Sequence, residues 1–560
     1  MMKIDLKKNI TNQDLKFLEN KLINKEFKIL ENIIENLSKK NFDHPAIKII
    51  YASSKSLKPN SSLSDQKIAF DLFLEVYNFN PNYVQALYNA CTLSFKINEF
   101  EKISILLEKF IENNKFDEKI YEAAYKIKAK LGDVNSTIRL LKVIVKKKSE
   151  DLKAWSALLF SLLYSDKYNQ KDYFKYSQEF YKNIKNFDIS PKEPITCFKN
   201  EKIQLAFMTP YFNGNSIDGF LEDLLKNIDR DVFEITAFNL NNLDINNNNL
   251  KVLFDNWFNV VNLGDLELLN FIRNKKTNIL IDLVGHGPDN RLTVFKNRAA
   301  PIQISWLGFC NTTGLKEIDY IIVDPHVVKK NEQIFYSEKF LMLPSIWNSH
   351  KEISNDLKVN SSPFKRNKFF TFGSFNNFKK ISKSVVEVWS EILNKTDAKL
   401  ILKSSMNNRE DVRKNILNKF SKNLVNSERI QIFAGQKNKF DHLNMYNQVD
   451  LSLDTFPYNG VTTSFEAIWM GVPILTLKGS NFNSRCGESI NINLGLNSFI
   501  AEDKEDYIKK AINFSNKTET IEGMRKNLRE YSKKSILFQT KKFTNEFSIK
   551  LKELWLKKIS

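Results

Sequence analysis

Glycine is nearly missing from the first third of this 560-residue chain: Gly132 is the only one before residue 190. That excludes glycine-punctuated hairpins there and predicts an almost wholly helical segment. Cysteine is also scarce. The four present (Cys91, Cys197, Cys310, Cys486) are widely separated, with no C-x-x-C, which excludes a disulfide framework or zinc ribbon and fits a reducing, cytoplasmic setting. No apolar run approaches the roughly 18 residues of a membrane span. The N-terminal stretch lacks the apolar core of a secretory signal, so none is expected. No metal-ligating constellation stands out: the one D-x-D, Asp229-Arg230-Asp231, falls between an expected helix and an expected strand, on a surface turn. Clustered basic charge is missing as well. The net charge is +19, yet the longest basic run is Lys146-Lys147-Lys148. The lysines are spread along the chain with abundant Asn, Ile and Phe, the set that A+T-rich codons supply. A nucleic-acid partner is therefore not expected, although a basic surface suits acidic partners or an anionic small molecule.

What is present points to several domains. The length exceeds one compact core, and 42% hydrophobic residues suffice for globular packing. Within residues 1–190 the apolar positions repeat. Leu87, Tyr121 and Trp155 recur at one spacing, as do Ala90, Ala124 and Leu158, and the pairs Leu106/Leu140, Leu107/Leu141 and Phe110/Ile144 repeat it. The period is about 34 residues, the tetratricopeptide length, with Asn80-Pro81-Asn82-Tyr83 opening one unit. After Pro191 and Pro194 the pattern changes to short apolar runs alternating with amphipathic ones. Residues 204–208, 233–238, 278–282 and 301–305 read as strands, with helices over 221–228 and 266–273. A second series follows, with strands over 368–372, 399–403, 430–433, 450–453 and 473–477. Such alternation predicts parallel sheets covered by helices on both faces. The expected domains are 1–190, 200–345 and 365–545, with residues 345–367 as the connection and the Asn-rich 241–249 as a surface loop.

The segment Asp454-Thr455-Phe456-Pro457-Tyr458-Asn459-Gly460-Val461-Thr462-Thr463 joins a strand-like run to a helix-like one. A glycine-bearing turn with hydroxyls ahead of a helix is a layout that cradles phosphate on backbone N–H groups; it is equally that of an ordinary turn with a Thr N-cap. The whole stretch from Asp454 to Leu477 resembles the sugar-nucleotide site of the O-GlcNAc transferase/SPINDLY family, glycosyltransferase family 41. Further blocks resemble the same family in the same order: Asp282 to Leu292 (D-L-x-G-H-x-x-x-N-R-L), Pro301 to Gly308, Thr312 to Gly314 with Ile318 to Tyr320, Tyr336 to Lys339, and Phe375 to Ile381. The ordered resemblance runs from about Lys202 to about Leu496.

The resemblance implies a GT-B fold, two doubly wound Rossmann-like domains facing a cleft, preceded by tetratricopeptide-like repeats that recruit an acceptor protein. It implies an inverting, metal-independent transfer of a sugar, GlcNAc from UDP-GlcNAc, to protein Ser or Thr, with a nucleotide-sugar donor and no cofactor. GDP-fucose-dependent O-fucosyl transfer and Asn-glucosyl transfer are alternatives within the family; an impaired repeat scaffold is another. By the same resemblance Lys380 contacts the diphosphate, with Asn377 beside it. Thr462 and Thr463, after Gly460, offer hydroxyl and backbone donors to phosphate. Glu466 holds the ribose, Lys439 and His442 lie near the base and ribose, and His286 lies beside the sugar and acceptor. Asn290 and Arg291 look like loop scaffold. The chain also departs from the family pattern. Tyr211 and Asn215 stand where most members have aspartate and histidine, and Asn cannot take a proton at neutral pH. Val461 replaces the histidine of animal enzymes, and Cys310-Asn311 the more usual Pro-Gly.

Overall fold

The computed structural model describes residues 9–113, 116–189, 197, 201–212, 217–242, 250–404, 410–436 and 438–560. The chain forms two compact units, residues 1–144 and 145–560.

Among the described residues the first unit is all helical: α1 (Asn12–Ile23), α2 (Phe27–Glu35), α3 (Lys39–Phe42), α4 (Pro45–Leu57), α5 (Leu63–Phe79), α6 (Val84–Ile97), α7 (Glu101–Asn113), α8 (Glu118–Lys130) and most of α9 (Val134–Lys147). Thr11 with Asp14, and Ser62 with Asp65, close capping boxes that start α1 and α5; each satisfies backbone donors that a helix start leaves unpaired. The repeated positions are core positions: Leu87, Ala90, Tyr121 and Ala124 are all buried. The starts of α6 and α8 differ by the expected period, and α10 (Leu152–Leu162) starts one period further on.

The second unit opens with α10 and α11 (Gln170–Ile184) and continues into two sheets. The first sheet contains β1 (Ile203–Thr209), β2 (Phe233–Asn239), β3 (Asn256–Asn259), β4 (Ile279–Asp282), β5 (Ile302–Ser305), β6 (Tyr320–Val323) and β7 (Lys339–Met342), in the order β3-β2-β1-β4-β5-β6-β7. The second contains β8 (Thr371–Ser374), β9 (Lys399–Ser404), β10 (Ile430–Ala434), β11 (Leu451–Leu453), β12 (Ile474–Leu477) and β13 (Ile500–Ala501), in the order β10-β9-β8-β11-β12-β13. All the pairings are parallel, as near-continuous apolar strands covered on both faces require. This is the two-sheet GT-B architecture.

The expected strand over 368–372 lies three residues later. Lys368 has φ +60° and caps a short helix, α12 (Pro363–Asn367), and that left-handed turn delays the strand to Thr371. Three hydrogen bonds link the sheet domains here: Arg485 forms a bidentate pair with Glu332 at 2.7 and 2.8 Å, and Ser489 donates to Asp324 at 2.7 Å. The C-terminal helix, α13 (Thr540–Ile559), returns to the first sheet domain; its buried stripe Phe543, Phe547, Leu551 and Trp555 includes a 5.0 Å ring contact with Trp306.

Candidate active site

In a doubly wound sheet, ligands bind beyond the carboxyl ends of the strands where the strand order reverses. In the second sheet that point lies between β8 and β11. The loops after these two strands carry Asn376 to Lys380 and Asp454 to Thr463. Between the two sheet domains lies a cavity of about 460 Å³ whose wall includes Asn377, Lys380, Tyr458, Val461, Thr462 and Thr463.

The second loop is held in shape by buried groups. Asp454 accepts from the backbone N–H of Thr455 (2.9 Å) and Gly460 (2.7 Å) and from the Thr476 hydroxyl (2.9 Å). Burial pushes its carboxyl up to about 6 against those bonds and the attraction of Lys380. The Asn459 amide donates to Thr455 O (2.8 Å) and accepts from Gly487 N (3.1 Å). Gly460 is required by close approach: a Cβ there would sit 2.6 Å from Thr463 Oγ1 and 3.0 Å from Asn376 Oδ1. The helix that follows, α14 (Thr462–Trp469), has Val461 at its N-cap and no side-chain cap bond. Valine has no acceptor to offer, so the positive end of the helix is left open to a ligand.

Lys380 ends a 3₁₀ turn started by Asn377, whose side chain accepts from Lys379 N at 3.1 Å. Its Nζ donates to Asn459 O (2.7 Å) and lies 4.4 Å from the centroid of the Tyr458 ring. Burial lowers its pKa below the usual lysine value, with Asp454 the main group opposing the shift. Thr463 Oγ1 donates to Asn376 Oδ1 at 3.0 Å. Further along α14, the buried Glu466 meets His442 Nε2 at 2.8 Å and the Tyr446 hydroxyl at 3.4 Å. Burial raises its pKa, opposed by Lys439, His350 and Lys403. Lys439 itself is exposed, one turn before His442.

The structure thus brings Lys380, Asn377, Thr462 and Thr463 around one cavity, with Gly460 packed behind Thr463 and Asn376 and with Glu466 and His442 paired. Sequence reasoning missed the groups that support them: Asp454, Asn459, Asn376, Tyr446 and Lys403. Lys403 is buried at the end of β9 and pushed down to about 8 by burial. A lysine after the apolar run Leu400 to Leu402, at the carboxyl end of the strand, was the available signal.

From the first sheet domain, Tyr211, Leu307, Gly308, Cys310 and Trp347 complete the wall. His286 is placed elsewhere. It is buried, with Nδ1 3.0 Å from Ser156 Oγ and Nε2 2.9 Å from Thr313 O. A carbonyl can only accept, so Nε2 carries the proton and Nδ1 accepts from Ser156. Phe180 and Phe309 contact the ring edge-on, and burial pushes its pKa down to about 4. The sequence placed it at the cleft edge because it follows β4; α10 and α11 cover it there. The neighbouring blocks are structural in the same way. Glu338 accepts from the Thr312 hydroxyl (2.6 Å), Thr313 N (2.7 Å) and the Thr313 hydroxyl, and Gln170 and Asn311 exchange two amide bonds (2.8 and 3.0 Å). Arg291 pairs with Asp265 (2.7 Å) and Asn290 donates to Gly287 O (2.9 Å), so both brace their loop. Asn215 lies outside the described residues. In the D-x-D turn Arg230 pairs with Asp255 at 2.6 Å, and among the described residues no group of three or more His, Cys, Asp or Glu is arranged to hold a metal.

Among known proteins, the probable UDP-N-acetylglucosamine–peptide N-acetylglucosaminyltransferase SPINDLY of Eustoma exaltatum subsp. russellianum is 33% identical over 300 residues, which cover 53% of this chain and 33% of that protein. Its namesake from Solanum lycopersicum is 29% identical over 371 residues, covering 64% of this chain and 40% of that one. The chain therefore spans less than half the length of these curated relatives. A solved structure of a mutant Thermobaculum terrenum O-GlcNAc transferase shares the fold, with a TM-score of 0.78 at 23% identity over 93% of this chain and 99% of that one. The family model of glycosyl transferase family 41 matches residues 192–367 and 365–547, both sheet domains and more than half of the chain, and the chain belongs to that family.

Proposed function

We propose that this protein is an inverting glycosyltransferase that transfers GlcNAc from UDP-GlcNAc to serine or threonine of an acceptor protein. The observation that carries this reading is the convergence of a half-buried ammonium, Lys380, two threonines and an uncapped helix N-terminus on one cavity at the strand-order reversal of the second sheet. The acceptor hydroxyl oxygen forms a bond to the anomeric carbon as the bond to the β-phosphate oxygen breaks; the electron pair leaves with the diphosphate and the hydroxyl proton is released to water. Negative charge grows on that leaving group, and pre-placed positive groups stabilise it most in the transition state. Lys380, Thr462, Thr463 and the first N–H groups of α14 supply them, so the reaction we propose draws on no metal ion. Glu466, fixed by His442 and Tyr446, is suited to accept from ribose hydroxyls. His286, with both ring nitrogens engaged, is not our proton acceptor. The relatives' names support the donor and the peptide acceptor, and the helical first unit, with its repeat, is suited to recruit that acceptor.

Calorimetry with UDP, GDP, UDP-GlcNAc and GDP-fucose, paired with transfer from labelled donor into a cell lysate, tests the proposal. Binding of the uridine pair and label incorporation are expected. Preference for the guanosine pair would move the reading to fucosyl transfer, and nucleotide binding without incorporation would leave a repeat scaffold.

A further inference from the structure

Lys380 sits at the end of a flexible four-carbon stem, so where its ammonium rests has to be set by what surrounds it. Asn459 O accepts one N–H, and the Tyr458 ring lies beneath the charge at 4.4 Å. Tyr458 is in turn stacked on Tyr164, with centroids 4.8 Å apart and planes 27° apart. Tyr164 belongs to the turn that follows α10, in the helical stretch ahead of the sheets. The seam there is tied by one amide: Asn483 Nδ2 donates to Leu163 O at 3.1 Å and to Pro457 O at 3.2 Å, joining the residues just before each tyrosine. The Tyr458 carbonyl is fixed separately by the Thr455 hydroxyl at 2.7 Å. From Tyr164 the ring contacts continue through Phe160 (5.7 Å) to Phe309 (5.9 Å).

We infer that Tyr458 is a positioning residue for Lys380, and that Tyr164 completes the donor site from the α10–α11 segment by backing that ring. The inference rests on the donor reading above and adds to it: the last helices ahead of the sheets are part of the catalytic unit. The face of an aromatic ring is electronegative and attracts a cation laid over it. Tyr458 therefore holds the ammonium over the cavity and favours its charged form. A ring that merely filled space would do neither.

The test reads Lys380 itself, by the pH profile of its acylation followed by mass spectrometry, alongside UDP binding and thermal unfolding of the full chain. Tyr458→Leu is expected to weaken UDP binding about tenfold and to move the acylation profile to lower pH, because the charged amine loses its partner. Tyr458→Phe keeps the ring and should stay within about twofold of the parent in affinity, with an unmoved profile. Tyr164→Leu should move both readouts in the same direction by less, and it carries the test if Tyr458→Leu does not fold. A folded Tyr458→Leu protein with the parent's Lys380 profile overturns the inference, whatever the nucleotide does. A shifted profile in a protein whose parent binds no nucleotide supports the positioning and overturns the donor reading instead.

Discussion

The two sheet domains present motif residues of the same family in opposite ways. On the second sheet, Lys380, Thr462 and Thr463 are half-buried and line a cavity. On the first, His286, Thr312, Thr313 and Glu338 are buried and bonded to one another's neighbourhood or to α10. His286 and the Thr462–Thr463 pair both follow the carboxyl ends of parallel strands, so position in the fold does not separate them. What separates them is whether the donors and acceptors are already spent. His286 has both nitrogens engaged inside protein, whereas the first N–H groups of α14 receive no side-chain cap. A motif residue locates a place in the fold; its unspent hydrogen bonds decide whether it is available to a ligand.

The contrast can be broken first at Lys380. Lys380→Ala should lower transfer by about 10²–10³-fold, the usual effect of losing one stabilising donor, with the melting temperature held close to the parent's because a partly desolvated charge is removed. Steady-state kinetics and thermal unfolding check the two halves. Next comes Gly460→Ala. Its methyl group would push Thr463 and Asn376 aside, and UDP affinity should fall roughly tenfold or more by calorimetry, as expected when a phosphate cradle's backbone moves. The mirror case is His286→Ala, which should cost about 2–4 kcal/mol of stability by leaving Ser156 and Thr313 O without their partner. The protein that remains folded should keep the proposed transfer within a few-fold of the parent.

The smallest effect is a pH dependence. The folded-state pKa of His286, like that of His350, is about 4, below the unfolded value of 6.5. Each histidine therefore contributes stability that is present above 6.5 and is lost as pH falls toward 4, by roughly 3 kcal/mol in full. Asp282 and Asp454, raised to about 6, act in the opposite sense: their protonated forms are favoured by folding, and that contribution is lost as pH rises through 6. The parent's stability should thus fall most clearly between pH 6.5 and 6. The difference between the parent and His350→Gln should grow smaller as pH drops from 6.5 toward 4, as followed by chemical denaturation at each pH.

Much of this architecture was legible in the sequence. The long strands β1, β2 and β9 announce themselves as apolar runs, and the period of the helical segment reappears in the starts of α6, α8 and α10. The four described strands that escaped are all short: β3, β6 and β7 have four residues each and β13 only two. The cavity-facing residues of the second sheet domain were legible because they sit in contiguous motifs, Asn377 to Lys380 and Val461 to Thr463. What no local pattern could show is long-range partnership. Gln170 with Asn311, Ser156 with His286 and Tyr164 with Tyr458 each join residues more than a hundred positions apart, through side chains that would be unremarked on their own. Those contacts are what close the first sheet's motif off and bring the α10–α11 segment to the site.

The most direct measurement is calorimetric titration of UDP into the parent protein, Lys380→Ala and His286→Gln under one set of conditions. The parent is expected to bind UDP, Lys380→Ala to lose that binding while staying folded, and folded His286→Gln to bind within a few-fold of the parent. Failure of the parent to bind, or binding that survives Lys380→Ala and disappears in a folded His286→Gln, would contradict this expectation.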